Sequence, residues 1–136
     1  MVILYDRFNL SEDIFEIIFA TNQQRIVGKT LIKYVKENGG EIGKTQMSLF
    51  ATQLHDGKLV TEIDDEPYRG KSVKMSYNKR QFYDRILTPM KSMGIIDYNL
   101  YKKTYSLSEN FNKDLVRIAL MWTRELRRPL VEIKKK

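Results

Sequence analysis

The chain has no cysteine among its 136 residues and a single histidine, His55. The first absence excludes disulfides and thiolate zinc sites and fits a reducing compartment. The second excludes multi-histidine metal centres, and His55, placed before Asp-Gly as loop residues are, offers no obvious triad. Only three prolines interrupt the sequence. No run approaches the roughly 18 consecutive apolar residues of a membrane span, and the N-terminus lacks the basic flank and small-residue cleavage site of a signal peptide. The expectation is one soluble, cytoplasmic domain of ordinary size without a membrane partner.

Acidic residues are also scarce in one region. Net charge is +7, from 24 Lys and Arg against 17 Asp and Glu. Residues 1–68 hold 7 basic and 11 acidic side chains, a balance of −4, whereas residues 69–103 hold 9 and 2, a balance of +7. Residues 104–136 hold 8 and 4, adding +4. Clustering of this kind is the footprint of a polyanion binder, because each cation near a phosphate releases condensed counterions.

Hydrophobic spacing predicts the elements. Ser11 is a candidate cap for a short helix in "EDIFEIIFA", apolar around most of its circumference. A second helix is predicted from about Gln23 to Asn38, with Val27, Leu31, Val35 and Ile32 inward and "NGG" as its left-handed stop. Met47, Phe50, Ala51 and Leu54, at i, i+3, i+4 and i+7, mark a third. In residues 58–77, Leu59 and Val60 form one extended run and Val73, Met75 and Tyr77 another, joined by "DDEPYRG", which reads as a hairpin or ordered loop.

"NKRQFYDRILTPMKSMG", residues 78–94, has two faces. On a helix Phe82, Ile86, Met90 and Met93 fall within an arc of about 80°, with Leu87 on its shoulder. The other side carries Asn78, Arg80, Gln81, Asp84, Arg85, Thr88 and Lys91. Pro89 lacks the N–H that would bond the carbonyl of Arg85, so a kink or break is expected near Thr88, which would then cap a last short turn. "IIDY" and "TYSL" around "NLYKK" predict a second hairpin. The last helix is expected from Ser108, as N-cap, to about Arg128 before Pro129. Its stripe is Phe111, Leu115, Ile118, Ala119, Trp122 and Leu126, with Val116 and Leu120 on a second shoulder.

Two suggestive patterns are refused. "GGEIGKT", residues 39–45, lacks the first glycine of a phosphate-binding loop, since Asn38 occupies that position, and the sequence places a helix rather than a strand before it. Glu62, Asp64, Asp65 and Glu66 lack the spacing and central glycine of a calcium loop. No catalytic residue, metal site or cofactor is assigned, and an enzyme is not expected.

"IVGKTLIKYVKENGG", "EIGKTQMSLFATQL", "NKRQFYDRILTPMKSMGIIDY" and "LYKKTYSLSENF" together resemble the winged helix-turn-helix superfamily, over about 86 of the 136 residues. Met93, Gly94, Ile95 and Ile96 match the family's lead into the wing, and Tyr105, Ser106, Leu107 and Ser108 its return strand. The fold expected is mainly α with small β-hairpins (α+β), a winged helix-turn-helix with additional N- and C-terminal helices. Residues 1–22 form the N-terminal extension, 23–108 the winged domain with an insertion at 55–77, 109–128 a C-terminal dimerisation helix and 129–136 a basic tail. The insertion departs from the family, which joins these two helices by a few residues.

The resemblance implies a protein that binds double-stranded DNA in the cytoplasm and regulates transcription, with the N-terminal half of helix 78–88 in the major groove and the wing at 99–103 on the flanking backbone. Asn78, Lys79, Arg80, Gln81, Asp84, Arg85 and Thr88 would line the groove; Lys102 and Lys103 would meet phosphate or the minor groove and Tyr101 a sugar. Arg69, Lys71 and Lys74 of the insertion would reach phosphate. The apolar surface of Phe15, Ile18, Phe19, Phe111, Leu115, Val116, Ile118, Leu120 and Trp122 exceeds what one small domain hides, so a homodimer through the terminal helices is expected. Two rival readings share this patterning. One is a winged-helix protein-interaction module, the other a non-specific nucleic-acid component of replication, partition or nucleoid packaging.

Overall fold

A computed structural model describes residues 5–62 and 72–131. Over the described residues the fold is mainly helical with two small antiparallel sheets, an α+β arrangement. After a single 3-10 turn (Arg7–Asn9) come α1 (Ile14–Ile18), α2 (Asn22–Glu37), β1 (Glu41–Gly43), α3 (Lys44–His55), β2 (Leu59–Glu62) and β3 (Ser72–Met75). Then follow α4 (Lys79–Phe82), a π-helical stretch (Tyr83–Leu87), α5 (Thr88–Ser92), β4 (Ile96–Asn99), β5 (Thr104–Leu107) and α6 (Asn110–Arg127). No helix among the described residues is long and apolar enough to cross a membrane.

The core is built from the stripes that spacing picks out: Val27, Leu31, Ile32 and Val35 of α2, Met47, Phe50, Ala51 and Leu54 of α3, and Phe82, Ile86, Leu87 and Met90 of helix 79–92. An aromatic chain ties the three helices together, with ring centroids at 5.1 Å for Tyr34 and Phe50 and 5.5 Å for Phe50 and Phe82. Helices α2, α3 and 79–92 stop alike: at each end two N–H groups turn back onto carbonyls five and three residues earlier, with glycine at the left-handed position.

Several expectations are corrected in detail. The cap of α1 is Asp13, whose carboxylate accepts from Phe15 N–H; Ser11 instead accepts from Asp13 N–H and donates to Glu16. The helix is only five residues long because the chain extends at Phe19, whose ring enters the notch above Gly28. A Cβ at Gly28 would lie 2.6 Å from that ring. Residues 41–43 are a strand, β1, which pairs with β5 (Ile42 opposite Tyr105), so a strand and not a helix directly precedes "GKT". The glycine spacing still differs from a phosphate-binding loop.

Helix 79–92 does not break at Pro89. The ladder shifts to i→i+5 bonding one turn earlier, and Thr88 N–H donates to the Tyr83 carbonyl. The wide turn absorbs the missing donor and lets the helix continue, so Thr88 is interior and caps nothing. It also turns Ile86 and the next residue, Leu87, both into the core, at 0% and 1% exposure.

The insertion forms the hairpin β2–β3, in register Leu59 to Met75 through Glu62 to Ser72. Met75 and Tyr77 are buried, and Tyr77 N–H donates to the Leu54 carbonyl (3.0 Å), which holds the hairpin's return strand on α3. The second hairpin joins β1 in a sheet of order β1-β5-β4. Tyr105 is buried there against Tyr98 (4.6 Å), and burial, then the neighbouring Tyr83 and Tyr98 phenols, hold its pKa above the ordinary tyrosine value. A folded-state pKa raised above the unfolded one means that this stabilisation is complete below about pH 10 and is lost as pH rises past it. The urea midpoint should therefore fall above about pH 10, and Tyr105→Phe should shallow that fall; an unchanged alkaline slope would contradict it.

Helix α6 starts one residue later than expected, with Glu109 rather than Ser108 at the N-cap. Asn110 N–H donates to Ser108 Oγ (3.1 Å), one residue from the expected cap geometry, but no residue of α6 is buried. Of its apolar stripe only the root, Phe111 and Leu115, is half-buried, and of these Phe111 packs against the core.

Candidate nucleic-acid interface

Helix 79–92 presents its polar side because its apolar side is fully committed. Asn78 Oδ1 accepts from Gln81 N–H (3.1 Å) and so serves as the N-cap. Lys79 is bound twice: its N–H donates to His55 Nδ1 and its Nζ to Thr52 Oγ1, both at 3.0 Å. These contacts fix the start of the helix against the end of α3, which makes Asn78 and Lys79 positioning residues. Gln81, Arg85 and Thr88 are exposed. Arg80, with 92% of its side chain exposed, lies 3.9 Å from Asp84 Oδ2, a loose pair that solvent screens. Further along, Lys91 Nζ lies over the rings of Tyr98 (5.8 Å) and Tyr105 (6.0 Å), joining the helix to the sheet.

The turn between β4 and β5 is preorganised by Asn99, whose Oδ1 accepts from the N–H groups of Tyr101 (2.9 Å) and Lys102 (3.0 Å). Lys103 closes the turn in the left-handed region at φ 54°. Tyr101 is 99% exposed and both lysines are exposed, so three side chains that can meet a nucleic-acid backbone project from a rigid tip. Lys74 is exposed on β3; Arg69 and Lys71, like the acidic cluster at 64–66, lie outside the described residues. Among the described residues no group of three His, Asp or Glu side chains is placed to hold a metal.

Sequence reasoning missed Lys44 and Thr45. Both are exposed at the start of α3, and Lys44 N–H donates to the Lys103 carbonyl (2.9 Å), so the beginning of α3 and the hairpin tip form one surface. The signal was the "GKT" itself, a cation and a hydroxyl at a helix start, set aside when the nucleotide motif was refused.

The expected dimer residues separate into two groups. Ile18 and Phe19 are 2% and 4% exposed in this chain's own core, and Phe15 stacks on Phe19 (6.4 Å, 3° between planes), so Ile18 and Phe19 are unavailable to a partner. Val116, Ile118, Leu120 and Trp122 are at least half exposed on α6. The chain matches no protein-family model, no curated protein and no solved structure.

Proposed function

We propose that the chain is a winged-helix protein that binds double-stranded DNA with sequence preference, as a homodimer, and regulates transcription. The order α2, β1, α3, helix 79–92, β4, β5 with a β1-β5-β4 sheet supports the architecture. The observation that carries the function is the division of helix 79–92. Phe82, Ile86 and Met90 are wholly buried, while Arg80, Gln81, Arg85 and Thr88 stand exposed opposite them. Arg and Gln are the side chains that pair bidentately with guanine and adenine edges. Lys44, Lys102 and Lys103 would anchor the flanking phosphates, and Tyr101 would lie against a sugar. No catalytic residue or cofactor enters this reading.

Fluorescence anisotropy with a random-sequence duplex at several salt concentrations tests it. Binding that weakens steeply with salt is expected, from phosphate contacts. On a selected site, Arg80→Ala with Arg85→Ala should lower affinity at least about tenfold without changing the circular dichroism spectrum. Absence of binding at low salt would instead mark the basic face as a docking surface for an acidic protein. Equal affinity for every duplex would mark a non-specific packaging or replication component.

A further inference from the structure

Beside the root of α6 lies a crevice of about 220 Å³ walled by Ile14, Phe15, Ile32, Ile95, Leu107 and Phe111. The one polar side chain at its edge, Ser108, is engaged, its Oγ accepting the Asn110 N–H. Nothing there binds a charged or strongly polar ligand, and the site fits aliphatic side chains. The crevice is continuous with the exposed stripe of α6, because Phe111 belongs to both.

That stripe is spaced symmetrically about its middle. From the point between Ile118 and Ala119, Trp122 lies as far along as Leu115 lies back, and Leu126 as far as Phe111. An antiparallel copy therefore sets Leu126 opposite Phe111, Trp122 opposite Leu115 and Ile118 opposite Ala119, the small residue allowing close approach. The last turn of α6 and the extended residues just beyond it carry apolar side chains that no described residue covers: Leu126 at 67%, Leu130 at 103% and Val131 at 78% exposure. In a parallel pair these would run away from both crevices. In an antiparallel pair they arrive at them.

We propose that the crevice is the socket for the C-terminal end of a second copy's α6, so that two chains pair through antiparallel α6 helices with Leu126 and Leu130 of each seated against Phe111 and Leu107 of the other. This rests on the homodimer part of the reading above and is independent of what the basic face binds. The area is sufficient. Half-exposed side chains of this size each offer on the order of 100 Å². Ile118, Trp122 and Leu126 on the stripe, Met121 on its flank, and Leu130 and Val131 just beyond the helix are six such side chains, and with the crevice added they approach the roughly 800 Å² per partner of a stable interface. The arrangement is two-fold and closed, as most homodimers are. It also completes α6, since most of a helix's stability in a protein comes from packing its apolar face and no residue of α6 is buried in its own domain.

Because the chain has no cysteine, introduced pairs report the register directly. Leu115→Cys and Trp122→Cys proteins, mixed and mildly oxidised, should give a mixed disulfide dimer, as should Phe111→Cys mixed with Leu126→Cys. Leu115→Cys alone should cross-link at least about tenfold more slowly, since its two copies would be seven residues apart, about 10 Å along the helices. Light scattering on the unmodified chain should give a dimer. Rapid self-cross-linking of Leu115→Cys with no mixed product would show parallel pairing: the homodimer would stand and the socket would be overturned. A monomer at the highest concentration reached would overturn both, and leave DNA binding to be judged by its own titration.

Discussion

Phe82→Ala is expected to destabilise the protein by about 4 kcal/mol, within the roughly 3–5 kcal/mol that deleting a buried phenyl ring costs. Phe82 is wholly buried, tilted against Phe50 at 5.5 Å and edge-on to Tyr83 at 5.5 Å. Phe50 in turn packs on Tyr34 of α2, so the ring is the contact through which helix 79–92 is oriented on both other core helices. Its ring neighbours come from α3 and from its own helix, and Phe50 is held in place in turn by Tyr34 of α2. They cannot collapse into the space together, which places the cost toward the upper part of the range. Out of a total stability of about 5–15 kcal/mol, the loss would remove between about a quarter and four-fifths. Urea denaturation followed by circular dichroism measures it, with Phe82→Leu, which keeps a branched apolar side chain, as the milder variant. A cost for Phe82→Ala under about 1.5 kcal/mol, the range of well-tolerated apolar swaps, would mean that the ring is not the keystone described.

What the sequence made legible was whatever depends on period. Val27, Leu31 and Val35, then Met47, Phe50, Ala51 and Leu54, then Phe82, Ile86 and Met90 each lie on one helical face, and each face is buried. Both hairpins were visible as paired extended runs around turn residues. The features that escaped depend on partners far along the chain. "EIG" is a strand only because Thr104 to Ser106 stand beside it, and three residues carry no alternation of their own. The continuity through Pro89 has the same origin. Local rules call for a break, but burial of Ile86, Leu87 and Met90 together holds the helix, and the ladder adapts with a π turn.

The candidate interface was legible in its cations but not in their employment. Lys79 reads like Arg80 in sequence. In the structure Lys79 is spent on Thr52 and His55, while Arg80 is exposed. Of the two terminal segments expected to pair, the first went to the core for a similar reason. The hydrophobicity of Ile18 and Phe19 gave no hint that Gly28 offers a notch for the Phe19 ring.

Gly94→Ala should cost about 3 kcal/mol, far more than its single added methyl group suggests. Two effects combine. Gly94 holds φ +78° as the left-handed stop of helix 79–92, with its N–H on the Lys91 carbonyl and that of Ile95 on Met90. A side chain there costs about 1–2 kcal/mol. A Cβ would also lie 2.9 Å from the Phe111 nitrogen and 2.9 Å from Asn110 Cβ, and most of this obstruction is backbone that cannot rotate away. Overpacking of that kind adds about 1–3 kcal/mol. Gly39→Ala supplies the comparison, because Gly39 has φ +80° with open space where its Cβ would be, so only the backbone cost applies. The difference between the two variants in urea isolates the close approach of α6 to the end of helix 79–92. Since Phe111 N–H donates to the Gly94 carbonyl (3.1 Å), that contact also sets the angle at which α6 leaves the domain. Gly94→Ala should thus weaken the proposed pairing through α6 as well as stability, while Gly39→Ala should leave that proposed pairing unchanged. Equal losses of stability in the two variants would show that the backbone of α6 yields freely, and that its angle is set elsewhere.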